Sequence, residues 1–187
     1  MTMTAATVAP ALRRLYLVRF GFTLIWAVVL FLTASGIGAV SATLLVIYPL
    51  FDVGAAVVDA RSSRASRSAP GLYVNIAISV LAAAGLVFAV TSGIPAVLRV
   101  WGVWAVVAGL AQLIVALLRR RDLGGQWAMI ASGAISTLAG ISFILQAAAP
   151  ASLRNLAGYA LLGGIFFLVS ALRLGRNTSR SPIQGHP

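Results

Sequence analysis

Six long apolar stretches run through the chain, at 17–34, 39–58, 72–91, 95–118, 126–148 and 153–172, each separated from the next by a short turn-like or polar segment. Each approaches the roughly 20 residues that a helix needs to cross about 30 Å of hydrocarbon. The pattern predicts an all-α fold, a polytopic membrane bundle of six transmembrane helices. A tail of residues 1–16 precedes the bundle, residues 17–173 form it, and residues 174–187 follow it.

The connections fall into two kinds. Segments 35–38, 92–94 and 149–152 are short and almost uncharged, so each closes a hairpin of antiparallel neighbours, giving hairpins 17–58, 72–118 and 126–172. Segments 59–71 and 119–125 are longer and carry Arg61, Arg64, Arg67, Arg119, Arg120 and Arg121. With Arg13, Arg14 and Arg19 at the amino end and Arg173, Arg176 and Arg180 at the carboxyl end, 12 of the 14 arginines lie on one side. Basic residues accumulate on the cytoplasmic side of inner-membrane proteins, which predicts that both termini are cytoplasmic. A cleaved signal peptide is the competing reading of the first stretch, since Val40-Ser41-Ala42 resembles a cleavage site. Its apolar core, however, exceeds the 7–15 residues of such a leader.

The hairpins resemble one another. A shift of 55 places Gly85 on Gly140, Phe88 on Phe143, Pro95 on Pro150, Arg99 on Arg154, Trp104 on Tyr159, Gly109 on Gly164 and Ala116 on Ala171. A shift of 56 places Tyr48 on Trp104 and Ala60 on Ala116, with Ala39 and Thr43 where the other copies carry the turn proline and arginine. Three repeated helical hairpins are therefore expected. Short hairpins with glycines along the helices, a proline at the outer turn and an arginine at the inner end resemble the HdeD-type acid-resistance membrane proteins. That resemblance spans roughly residues 19–176. It implies a six-span inner-membrane protein connected with acid stress in enterobacteria, and it supplies no catalytic residues.

Composition narrows the chemistry. Sixty per cent of the residues are hydrophobic and 9% charged, where soluble domains carry about a quarter charged. The net charge of +11 comes from arginines placed between apolar runs, which fits orientation in a bilayer and argues against nucleic acid as a partner. The absence of cysteine excludes disulfides and thiol chemistry. No nucleophile elbow, phosphate-binding glycine loop or paired carboxylates are present, so no enzyme activity, catalytic residue, cofactor or metal is expected. His186 lies in a polar tail with no second ligand nearby, and Asp59 and Asp122 flank basic loops and soften their charge.

Asp52 is the one acid inside a span, and an ionisable group there must face the bundle, pair or protonate. Arg19, entering the antiparallel neighbour from the same end, is its expected partner, with Tyr48 one turn away on the same face. Pro49 should free a backbone carbonyl near Leu45, a further acceptor for a cation or hydroxyl. Two readings follow: a structural ion pair in a non-enzymatic protein of envelope or acid-stress response, or a proton or cation site in a small transporter or channel. Arg99 and Arg154, each four residues after a turn proline, are the two outward arginines and candidate contacts for anions or lipid headgroups. Ala128, Ser132, Ser136 and Gly140 form a small-residue stripe suited to close helix packing, and Ala160 with Gly164 offers a matching face, a candidate seam for a homo-oligomer. Trp26, Trp101, Trp104 and Trp127 include candidate interfacial anchors and are a poor basis for a cofactor site.

Overall fold

The computed structural model describes residues 5–62, 69–119, 127–149 and 151–178. Arg64, Arg67, Arg120, Arg121, Asp122, Pro150, Arg180 and His186 lie outside them. Among the described residues the chain is all helical: α1 (Ala5–Thr33), α2 (Ala39–Ser62), α3 (Ala69–Ser92), α4 (Ile94–Arg119), α5 (Trp127–Gln146) and α6 (Arg154–Thr178). Each predicted span corresponds to one helix, and α1, α2, α3 and α6 run on into segments read as tail or loop.

Five of the six helices contain apolar stretches of 20 or more residues, enough to span a bilayer. The sixth, α5, is a helix of 20 residues, about 30 Å at the helical rise, whose apolar stretch among the described residues is Ile130–Gln146.

The hairpin turns follow from local chemistry. Between α3 and α4 only Gly93 separates the helices, and it takes a φ of 97°, open to a residue without Cβ; its carbonyl accepts from Ala96 and Val97 N–H. Pro95, without an N–H to lose, then sits inside the first turn of α4. Between α1 and α2 the Ser41 hydroxyl accepts from Gly38 N–H at 2.9 Å and donates to Gly36 O at 3.0 Å. Ahead of α6, Ser152 Oγ accepts from Arg154 N–H at 3.2 Å, the bond of an N-terminal cap.

The helices form a closed ring in chain order, each touching the next and α6 returning to α1. Pairs that join one hairpin to another, α4 with α5, α1 with α6 and α2 with α3, pack more extensively than pairs within a hairpin, and α5 with α6 is the sparsest. Arg13 near the start of α1 lies against Gly175 near the end of α6, so the two ends of the ring meet on one side.

The closest approach is between α4 and α5. A Cβ on Gly102 would lie 2.6 Å from Gly140 O, and one on Gly140 would lie 2.6 Å from Gly102 O. One heptad along, a Cβ on Gly109 would meet Gly133 O at 2.8 Å, and the reverse distance is also 2.8 Å. Two glycines seven residues apart on each helix thus bring backbone onto backbone. This corrects the expected stripe: Gly140 belongs to the crossing, but its partner on α5 is Gly133, and Ser136 turns toward α6 instead. The Ala160 and Gly164 face is occupied within the chain, since Ala160 is buried and a Cβ on Gly164 would meet Thr23 and Phe20 of α1.

Aromatic and aliphatic side chains fill the ring. Trp26 (1% exposed) and Trp101 (0%) stack at 5.4 Å, and Tyr48 and Trp104 pack on Trp101 at 5.5 and 5.3 Å. Leu30, Leu45, Leu86, Leu98, Leu153 and Leu156 complete the core. Only Trp127 (79% exposed) stands where an interfacial anchor would. Trp26 and Trp101 are core residues and Trp104 packs half-buried against them, because six helices in a ring leave an interior that small side chains cannot fill.

Candidate functional site

Arg19 and Asp52 form the ion pair expected of them, with side chains 14% exposed. Arg19 Nη2 donates to Asp52 Oδ1. The second carboxylate oxygen, Oδ2, accepts from Asn75 Nδ2 at 2.8 Å and from Ser79 Oγ at 2.9 Å. Asn75 and Ser79 are four residues apart on α3 and so share one face, which the extensive packing of α2 on α3 turns toward Asp52. Ser79 Oγ in turn accepts from Trp104 Nε1 at 3.3 Å. The guanidinium carbon of Arg19 lies 4.2 Å from the Phe167 ring centroid on α6, a cation–π contact.

Asp52 therefore sits in a network drawing on α1, α2, α3, α4 and α6. A carboxylate withdrawn from water is costly unless hydrogen-bonded on both oxygens and balanced in charge, and both conditions are met here. Nothing in the apolar pattern of α3 singles out Asn75 and Ser79 as partners. Their spacing of four residues is a signal, but only knowledge that α3 lies beside α2 turns it into a prediction.

Tyr48 makes no described hydrogen bond to Asp52, although it stands close enough to feel the charges of both Asp52 and Arg19. Its ring packs with Phe22 at 5.8 Å, Trp26 at 4.6 Å, Trp101 and Trp104, and its side chain interacts with Thr23 of α1. The hydrogen-bond donors described for Asp52 are Arg19, Asn75 and Ser79. At the proline step, Trp26 Nε1 donates at 2.6 Å to the carbonyl of Leu44, within the stretch near Leu45 expected to offer one. Among the described residues Trp101 Nε1 is buried with no hydrogen-bond partner, and its ring packs against Trp26, Tyr48 and Trp104.

A hydroxyl faces an aromatic side chain in each hairpin: Thr23 with Tyr48, Ser79 with Trp104, and Ser136 with Tyr159, whose hydroxyl donates to Ser136 Oγ at 3.0 Å. All six helices thus place a polar group in the interior.

The outward arginines are not brought together by any described contact. Arg154 is exposed, with its guanidinium carbon 5.4 Å from the Phe31 ring centroid on α1, and Arg99 is exposed on the first turns of α4. Among the described residues no group of three histidine, cysteine or acidic side chains is placed to hold a metal. Compared with known proteins, the chain matches no family model, no curated protein and no solved structure.

Proposed function

We propose that this chain is a small non-enzymatic protein of the inner membrane, with both termini in the cytoplasm and the Asp52 network acting as a clasp that fixes the ring of helices. One observation carries the reading: Arg19, Asn75 and Ser79 engage both oxygens of the only acid within a span, leaving the carboxylate committed to the protein. The resemblance to HdeD-type proteins adds a role in envelope or acid stress. Around the ring, the more extensively packed helix pairs alternate with the less extensively packed ones.

Reconstituted in liposomes under an imposed pH gradient, the protein should dissipate the gradient no faster than empty vesicles. A second reading, proton- or cation-linked transport through Asp52, is favoured by the convergence of polar groups from every helix on the interior. A pH-dependent flux that disappears in Asp52→Asn would replace the first reading by the second.

The orientation rests on the arginine partition, 12 against 2. Reporter fusions after Arg67, Arg121 and Arg176 should be active only as cytoplasmic reporters, and fusions within 92–94 only as external ones. An external signal at Arg121 would overturn the assignment.

A further inference from the structure

The polar contacts of the interior recur at matching places in the three hairpins. Ser79 accepts from Trp104 Nε1 at 3.3 Å, Ser136 accepts from the Tyr159 hydroxyl at 3.0 Å, and Thr23 interacts with Tyr48. The hydroxyl residues are spaced by 56 and 57 along the chain, and their aromatic partners by 56 and 55.

The same shifts carry the Asp52 network to the other seams between hairpins. Asp52 on α2 accepts from Asn75 and Ser79, four residues apart on α3. Moved one hairpin along, the acid position becomes Ala108 on α4 and the donors become Ser132 and Ser136 on α5. The register agrees, because the adjoining residues Gly109 and Gly133 are where α4 and α5 meet backbone to backbone. Moved again, with α1 following α6 around the ring, the acid position becomes Gly163 and the donors become Arg19 and Thr23. Here the adjoining residue Gly164 lies against Thr23 and Phe20, and Phe20 is the counterpart of Gly133. Phe167, one turn beyond Gly163 on the same face, lies under the Arg19 guanidinium. Asp52, Ala108 and Gly163 are alike half-buried.

From these matches we infer that the three seams between hairpins are copies of one polar socket, that a carboxylate fills only the first, and that Arg19 belongs to two of them. Arg19 balances Asp52 across its own hairpin. On its other side it holds a donor's place in the α6–α1 socket, where a glycine stands in the position of the acid. Phe167 meets the cation there in place of a carboxylate, 4.2 Å from guanidinium carbon to ring centroid. A carboxylate within a bilayer calls for a nearby cation, and the counterparts of Arg19 in the other hairpins are the neutral Asn75 and Ser132. One cation in the layer accounts for one acid. The sockets are defined by these contacts whatever the network does with protons, so a flux in liposomes would replace the clasp and leave them standing.

Moving the acid tests the equivalence. Melting temperatures in detergent are compared for Gly163→Asp and Gly163→Asn, each made in wild type and in Asp52→Asn. A Cβ at 163 meets nothing within 4 Å, so both side chains have room. In Asp52→Asn, Gly163→Asp should melt about 4 °C above Gly163→Asn, because the relocated carboxylate again balances Arg19. In wild type the order should reverse by about 2 °C, since Arg19 is already balanced and a second acid has no cation. That reversal couples positions 52 and 163, which side-chain volume or helix propensity at 163 alone cannot do. Should Gly163→Asp not accumulate in the membrane, the pair itself is moved one hairpin along. Asn75→Arg with Ala108→Asp, added to Arg19→Gln with Asp52→Asn, should raise the melting temperature of that background, with Ser132 and Ser136 as donors to the new acid. Gly163→Asp melting no higher than Gly163→Asn in Asp52→Asn would overturn the equivalence, as would a moved pair that melts at or below its background.

Discussion

Gly140→Val should lower the stability of the protein in detergent by about 3 kcal/mol or more, at the upper end of what overpacking costs. The reason is that the two atoms nearest the new Cβ are backbone and cannot swing aside as a side chain can. It would stand 2.6 Å from the carbonyl oxygen of Gly102 and 2.7 Å from the backbone nitrogen of Val106, so α4 as a whole would have to withdraw. Withdrawal also breaks the second pair, since Gly109 and Gly133 approach at 2.8 Å on the same two helices. Within a membrane the loss is not offset by hydrophobic association, because lipid tails solvate an apolar helix as well as another helix does. What holds α4 to α5 is dispersion across a short interaxial distance, together with Cα–H···O contacts of the kind the reciprocal glycine and carbonyl positions create. Gly158→Val is the matched control: the chemical change is identical, nothing lies within 4 Å, and helix propensity alone predicts a gain of a few tenths of a kcal/mol. Thermal unfolding monitored by size-exclusion chromatography should separate the two variants clearly, and equal stability would remove the crossing from the forces that hold the ring.

The contrast between these glycines shows where the sequence was legible. Span number and hairpin order follow from hydrophobic runs and turn residues, which are local and need no partner. The Arg19 and Asp52 pair could also be read, because one acid within a span and one arginine at the same end of the adjacent antiparallel helix leave little choice. The register of α5 on α4 could not. Ala128, Ser132, Ser136 and Gly140 repeat every four residues on α5 by themselves, whereas the crossing uses Gly133 and Gly140, spaced by seven to match Gly102 and Gly109 on a different helix. A packing face belongs to two helices, and periodicity in one selects among faces only when its partner is known. The tryptophans failed for a related reason. An indole suits both the membrane interface and a large interior, and the closure of six helices into a ring, which decides between them for Trp26 and Trp101, is not a property of any single span.

The largest effect at the candidate site should come from Arg19→Gln. It removes the cation and leaves the Asp52 carboxylate, 14% exposed, with two neutral donors in place of a balanced charge. Breaking a buried pair by taking away one partner costs about 3–5 kcal/mol, and the partial exposure here places the loss nearer 2 kcal/mol. Asp52→Asn should cost less, about 1–2 kcal/mol. The orphaned arginine can extend toward water, which the short aspartate cannot, and the asparagine oxygen still accepts one bond. Its amide nitrogen, however, adds a donor to a place already surrounded by the donors of Arg19, Asn75 and Ser79. The double variant should lose less than the sum of the two by at least 1 kcal/mol, since no charge is then left to be desolvated alone. Ser79→Ala should add a distinct signature: Asp52 Oδ2 would keep Asn75, but Trp104 Nε1 would lose its acceptor, so the tryptophan emission should change along with stability. Additive losses across the Arg19 and Asp52 cycle would mean that the pair contributes no coupling energy. Coupling at the expected level, accompanied by unaltered proton flux in all four members of the cycle, is the outcome that a clasp requires and a transport site does not allow.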